Sequence, residues 1–310
     1  MDIDSSVQEA NISYPTDASL MLKLARKAKS LLELGLPALA GLSAEVGKVA
    51  IQAKAYFFAG KQKSAEYKQN LFEALHKETT EQVLPVIKRC LEVPESTVRA
   101  LSTRTRGLFE QVCHTGGALL AGIKSFIETR VVDKLKPLSL HAKAVVCINK
   151  GKLGKPFEFG RVFQMGRVEG NFLIIAKAKD LRESDKSSAG RLVHTHRKVF
   201  GAGVLKDVGA DRGYHSKKNV SALKHMGVKD ISIQRPSKCS PLFAEMGKEE
   251  QVLHYNRRAG IEPLIGHAKN GGLRRSRMKT DKTTEASAYR SVMGFNLRQL
   301  VGHLGAARVA

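Results

Sequence analysis

The hydrophobic period of this chain changes near residue 131, and that change limits the folds open to it. From Thr16 to about Arg130, apolar residues recur at three- and four-residue steps, as in TDASLMLKLARKAKSLLEL and QNLFEALHKETTEQVLPVIKRCLE. This is the period of helices with one buried face. Thr16 or Asp17 caps the first helix, and Pro94 stands near the start of a later one. After about Val131 the period becomes two. LSLHAKAVVCI, FEFGRVFQM and NFLIIAKA read as strands, with turns at NKGKLGKP and RVEGN, and the last two strands form a hairpin. KDLRESDKSSAGRLVHTHRKVF then reads as a loop leading into a helix. VLKDVGADRGYHS is a short strand running into a turn, SKKNVSALKHMG a helix and DISIQR a strand. A helical end runs from about Glu249 to Leu304, broken by NGG at 270–272. The opening, MDIDSSVQ, reads as a strand already in progress. An all-helical block followed by alternating strands and helices predicts an α/β core with a helical insertion or companion domain.

Charge narrows the partner. Lys and Arg total 52 against 29 Asp and Glu, a net charge of +23. A folded chain this basic calls for a polyanion, and nucleic acid is the usual one. Hydrophobic residues make up 42%, which excludes a disordered chain. The cysteines, Cys90, Cys113, Cys147 and Cys239, show neither CxxC nor paired Cys/His spacing. That argues against a zinc site and against a disulfide framework, and it fits a reducing cytoplasm. No apolar run reaches the length of a membrane span, and the start lacks the pattern of a signal peptide.

Two constellations carry chemistry. In YNRRAGIEPLIGHAK, from 255 to 269, the residues Tyr255, Arg258, Glu262 and Lys269 follow one another at steps that share one helical face. A carboxylate there suits Mg²⁺, and cations beside it suit phosphate. A salt-bridged surface helix is the plainer alternative. Pro263 requires either a kink or a helix that starts at about Glu262, so that the face is built in two pieces. In GADRGYHSKKN, Asp211 follows a short strand and precedes a glycine turn, a usual place for a metal ligand in an α/β sheet. A turn or N-cap aspartate is the plainer reading of that residue.

Several motifs in order carry a resemblance. Tyr255, Arg258, Glu262 and Lys269 resemble the Y-R-E-K signature of insertion-sequence DDE transposases, of the IS-four and IS-five-like group. ADRGYHS is similar to the stretch around the second catalytic aspartate of those enzymes, and GFNLRQL at 294–300 to the helix that closes their catalytic domain. LSLHAKAVVCINKGKLGKPFEFG resembles a segment of one branch, with Ala144 where relatives often carry an acid. DSSVQEANISYPTD, from Asp4 to Asp17, resembles the stretch that holds the first catalytic aspartate in that branch, and Asp4 matches that acid.

The resemblance implies a ribonuclease-H-like α/β domain: a mixed sheet with flanking helices and a large all-helical insertion after the first strand. Residues 1–16 would hold the first strand, beginning short of where relatives begin. Residues 17–130 would be the insertion and 131–310 the rest of the catalytic domain. It implies Asp4, Asp211 and Glu262 as the acids that bind Mg²⁺ or Mn²⁺ for two-metal phosphodiester chemistry. Tyr255, Arg258, Lys269, Arg274, Arg275 and Arg277 would contact DNA. The partner would be double-stranded DNA at terminal inverted repeats, bound by a possible homo-oligomer in the cytoplasm at the nucleoid. Asp133, Glu158 and Asp185 are rival acids, Asp133 as a replacement for Asp4. His141 and His267 fit structural or phosphate-facing places, since a two-metal site needs no histidine base. A non-catalytic DNA-binding remnant and a nuclease without strand transfer are the competing functions.

Overall fold

The computed structural model describes residues 1–307 except 61–62, 134, 150–155, 179–184, 234–247 and 279, with the backbone alone at 248, 251 and 255. The chain forms two compact units: Ile12–Val145, and Met1–Asn11 together with Val146–Ala310.

The first unit is helical. It contains α1 (Asp17–Leu32), α2 (Val46–Phe58), α3 (Ala65–Leu91), α4 (Glu95–Ala100), α5 (Thr103–Glu110) and α6 (Gly117–Thr129). The Thr16 hydroxyl caps α1 by accepting the Ser19 N–H at 3.3 Å. Leu24, Leu31, Leu75, Val83, Leu119 and Ile123 form its dry centre. The strand expected over 138–148 is shorter than its period suggests, since only Val146–Asn149 is extended and paired. The Ser139 hydroxyl accepts the N–H groups of His141 and Ala142 at 3.3 and 3.2 Å. That local turn takes donors a ladder would need.

The second unit is a mixed sheet between two helical layers. Its strands are β1 (Asp2–Glu9), β2 (Val146–Asn149), β3 (Phe157–Arg167), β4 (Leu173–Lys177), β5 (Asp207–Ala210) and β6 (Asp230–Ile233). The order is β2-β3-β1-β5-β6, with β4 also paired to β3. β3 is antiparallel to β1, β2 and β4, whereas β1, β5 and β6 run parallel. Alternation along the strands sends side chains to two faces. Ile3, Val208, Ala210 and Ile233 pack with Leu192 and Val193 of α7 (Asp185–Phe200) and Leu223 of α8 (Lys217–His225). Phe163, Met165, Leu173 and Ile175 form a second core with Ile261 and Ile265 of α10 (Ile261–Ala268) and Val292 and Phe295 of α11 (Asp281–Ala307).

The helical end is more broken than its pattern suggests. It comprises α9 (Lys248–Ala259), α10 (Ile261–Ala268), a wide turn at Lys269–Leu273, a non-helical stretch and α11 (Asp281–Ala307). Pro263 falls in the first turn of α10, where no partner for its missing N–H is needed. The face holding Tyr255 and Glu262 is therefore built in two pieces. A Cβ at Gly260, between them, would run into the Arg167 guanidinium.

Cys90, Cys113 and Cys147 are free thiols, and Cys239 lies outside the described residues. Among the described residues, no helix is long and apolar enough to cross a membrane.

Candidate active site

Two of the candidate acids meet where β5 stops and β1 continues. Ile3 lies beside Ala210 in the parallel pair, so Asp4 and Asp211 come level at the end of β5. Strand β1 runs on for five more residues, leaving Asp4 beside the carboxyl end of its neighbour, a common ligand position in open α/β sheets. Asp4 is half-buried, and its Oδ1 accepts the Ser5 N–H at 2.7 Å. Asp211 caps the tight turn Arg212–Tyr214, its Oδ1 accepting the Gly213 N–H at 2.8 Å.

Glu262 projects from the first turn of α10 and is exposed. Among the described residues it makes no ion pair with Arg258. Its field nevertheless reaches Asp4. Burial pushes the Asp4 carboxyl up to about 6, and the Asp211 and Glu262 carboxylates push the same way. The Ser5 N–H and the Arg258 guanidinium act in the opposite direction. Four residues named from the sequence thus share one electrostatic neighbourhood: Asp4, Asp211, Glu262 and Arg258.

The remaining cations divide by place. Tyr255 lies in α9 and its side chain is outside the described residues. Lys269 ends α10 and is half-exposed. Arg274, Arg275 and Arg277 are exposed on the stretch that lines up beside the far end of β1. There the Glu9 N–H donates to the Arg274 carbonyl at 2.9 Å, and Ser276 donates to the Glu9 carbonyl at 2.8 Å. Glu9 stands five residues beyond Asp4, about 17 Å along an extended strand.

The rival acids part company. Asp133 is exposed in the helical unit, its Oδ1 accepting the Leu135 N–H at 2.8 Å. Glu158 lies in β3 beside Ile148, with Oε2 buried and without a hydrogen-bond partner among the described residues. Asp185 opens α7 and comes to the Asp211 turn. Beside Gly213, one point lies 3.0 Å from Asp211 Oδ1 and 3.5 Å from Asp185 Oδ2.

Three neighbours carry weight that spacing did not assign. Arg257 donates from Nε to Asp2 Oδ1 at 3.0 Å and from Nη1 to Asp207 Oδ2, so it ties α9 to β1 and β5. The spacing that singles out Arg258 passes over it. Gln164 and Tyr214 join Asp185 in a buried chain of hydrogen bonds. A glutamine at an inward strand position was the available signal for that chain.

Residues 171–297 match the transposase DDE domain family. The match supports a DDE transposase and, with it, a transposase-type function acting on DNA. It spans Asp185, Asp211, Glu262 and Asn296, while Asp4 lies upstream of it. No curated protein and no solved structure matches the chain.

The donors suit a hard divalent cation, being carboxylates without His or Cys. Among the described residues no three such groups are arranged to hold a single ion. Glu262 is exposed at a helix start, so its side chain is not fixed by packing.

Proposed function

We propose that this chain is a DDE transposase that cuts and joins DNA strands at the ends of an insertion sequence, with Asp4, Asp211 and Glu262 as its catalytic acids. The observation carrying the reading is the level placement of Asp4 and Asp211 at the end of β5, with Glu262 near enough to raise Asp4. The mixed sheet, helices on both faces and a helical unit following the first strand support a ribonuclease-H-like domain with that unit as an insertion.

Two Mg²⁺ or Mn²⁺ ions on these carboxylates would activate the attacking oxygen and stabilise the leaving one. Asp4 and Asp211 hold their carboxylates from the sheet and Glu262 from α10. Arg258 and Lys269 neutralise the phosphates beside the cut, with Tyr255 contacting the same backbone. Arg274, Arg275 and Arg277 hold the duplex farther along β1. In cleavage, a water oxygen forms a bond to phosphorus as the bond to the 3′ oxygen breaks. In joining, the freed 3′-hydroxyl attacks a target phosphodiester in the same way.

The test is incubation with duplex DNA carrying the inverted repeats that flank the gene, with Mg²⁺ or Mn²⁺. Cuts at the repeat ends that disappear in Asp211→Asn are expected. Absence of cleavage with both ions, or equal cleavage by wild type and Asp211→Asn, overturns the proposal.

A further inference from the structure

Gln164 and Tyr214 are buried in the sheet unit, behind the acids. The Tyr214 hydroxyl donates to Gln164 Oε1, and Gln164 Nε2 donates to Asp185 Oδ1 at 3.1 Å. The amide NH₂ thus faces the Asp185 carboxyl oxygen and its own oxygen faces the phenol. Burial, then the fields of Asp185, Asp4 and Asp211, hold the phenol well above its ordinary pKa, so it keeps the proton it donates.

Two further side chains, Asn219 and Ser216, join the start of α7 to the segment that follows Asp211. Asn219 Nδ2 donates to the Tyr214 carbonyl at 2.8 Å and to the Asp185 carbonyl at 3.4 Å. The Ser216 hydroxyl donates to the Lys186 carbonyl at 3.1 Å. The start of α7 and the turn carrying Asp211 are thus fastened to each other and, through Gln164, to β3 beside β1. Gly213 leaves the space in which Asp185 packs against that turn.

We propose that Gln164 is a positioning residue of the reaction: with Tyr214 and Asp185 it forms a polar brace that fixes the Asp211 turn level with Asp4. Asp185 serves the brace as a hydrogen-bond acceptor rather than as a fourth acid of the chemistry. This rests on the proposed transposase reading.

The brace and a fourth catalytic acid give opposite results in a swap experiment. Asn at 185 still offers an oxygen to Gln164, so Asp185→Asn keeps near wild-type cleavage. Gln164→Glu sets two carboxylates against each other and lowers cleavage on the order of 100-fold, the scale of a slightly misplaced group. DNA affinity stays unchanged. The double variant Gln164→Glu with Asp185→Asn restores a donor facing an acceptor, and cleavage returns. Loss of cleavage in Asp185→Asn, full activity in Gln164→Glu, or no rescue in the folded double variant overturns the proposal.

A second readout needs no activity. The Gly213 amide, which donates to Asp211, reports the turn in amide NMR and hydrogen exchange. Its signal should move and its protection fall in Gln164→Glu and return in the double variant, with β6 amides unchanged. An unmoved Gly213 amide overturns the brace. Wild type that fails to cleave DNA while this pattern holds overturns only the transposase reading.

Discussion

Asn296 of α11 pairs both ends of its side-chain amide with the backbone of Leu173: the Leu173 N–H donates to its Oδ1 at 2.9 Å, and its Nδ2 donates to the Leu173 carbonyl at 2.8 Å. The side chain thereby acts as a one-residue extra strand on β4, whose backbone is otherwise paired to β3. It fastens α11 to the sheet that carries the acids. This gives the asparagine of GFNLRQL a physical task.

Asn296→Leu should leave both Leu173 groups without partners and cost about 1–3 kcal/mol. Leu297, exposed next to it, provides the control. Leu297→Ala should shift stability by no more than about 0.5 kcal/mol. Urea unfolding of the two variants checks this. Equal midpoints would show that the pairing does not hold α11 in place.

The two adjacent arginines should separate stability from chemistry. Arg257→Ala removes the nearest cation from Asp2, which is buried, and one of two from Asp207, which is half-exposed; Arg167 stays 3.9 Å from Asp2 and the Met1 amino group 3.2 Å from Asp207. Losing the charged hydrogen bonds destabilises by roughly 1–3 kcal/mol. Arg258 acts on Asp4 from α9. Arg258→Ala should lose DNA cleavage at temperatures where it remains folded. Melting curves and cleavage rates measured on both variants decide it, and a reversed pattern refutes the division of roles.

Much of this was legible from periodicity alone. A stripe at three- and four-residue steps needs only one buried face, and α1, α3 and the hairpin of β3 and β4 follow from such patterns. The break before α10 was legible in Pro263, which calls for a kink or a helix starting at about Glu262. The departure from the helix at 274–276 was not, because it depends on what lies opposite. A Cβ at Gly260 would displace the Arg167 guanidinium, and 274–276 leaves the helix to lie beside Glu9. The placing of the acids shows the same limit. Asp4 is 207 positions from Asp211, and only the register of β1 on β5 makes them level. Asp185 needed the hydrogen bond from Gln164, a contact no spacing reveals.

Asp4 makes stability depend on pH. Its folded pKa of about 6 stands above the ordinary 3.8. At pH below 3.8 both folded and unfolded forms hold the proton, and the group costs nothing. Between about 4 and 6 the unfolded chain releases the proton that the folded one keeps, so stability falls as pH rises. Above 6 the whole penalty applies, about 3 kcal/mol. Without divalent cations, Asp4→Asn should therefore melt higher than wild type at pH 7, with the difference shrinking toward pH 4. A difference independent of pH would contradict the raised pKa.

Glu262→Gln gives the sharpest separation of outcomes. The substitution keeps the shape and removes the charge. Glu262 is exposed, and among the described residues its carboxylate has no hydrogen-bond or ion-pair partner, so the fold loses no contact there. Removing one of three mutually repelling carboxylates should leave the melting temperature unchanged or raise it. DNA binding should persist or tighten, since a carboxylate near phosphates repels them in the absence of metal. Divalent-dependent cleavage should disappear. A Glu262 that merely braces α10 would behave in the opposite way, melting lower while the folded fraction still cleaves. Melting, DNA affinity and cleavage measured on one preparation therefore distinguish an acid that holds metal from an acid that holds the helix.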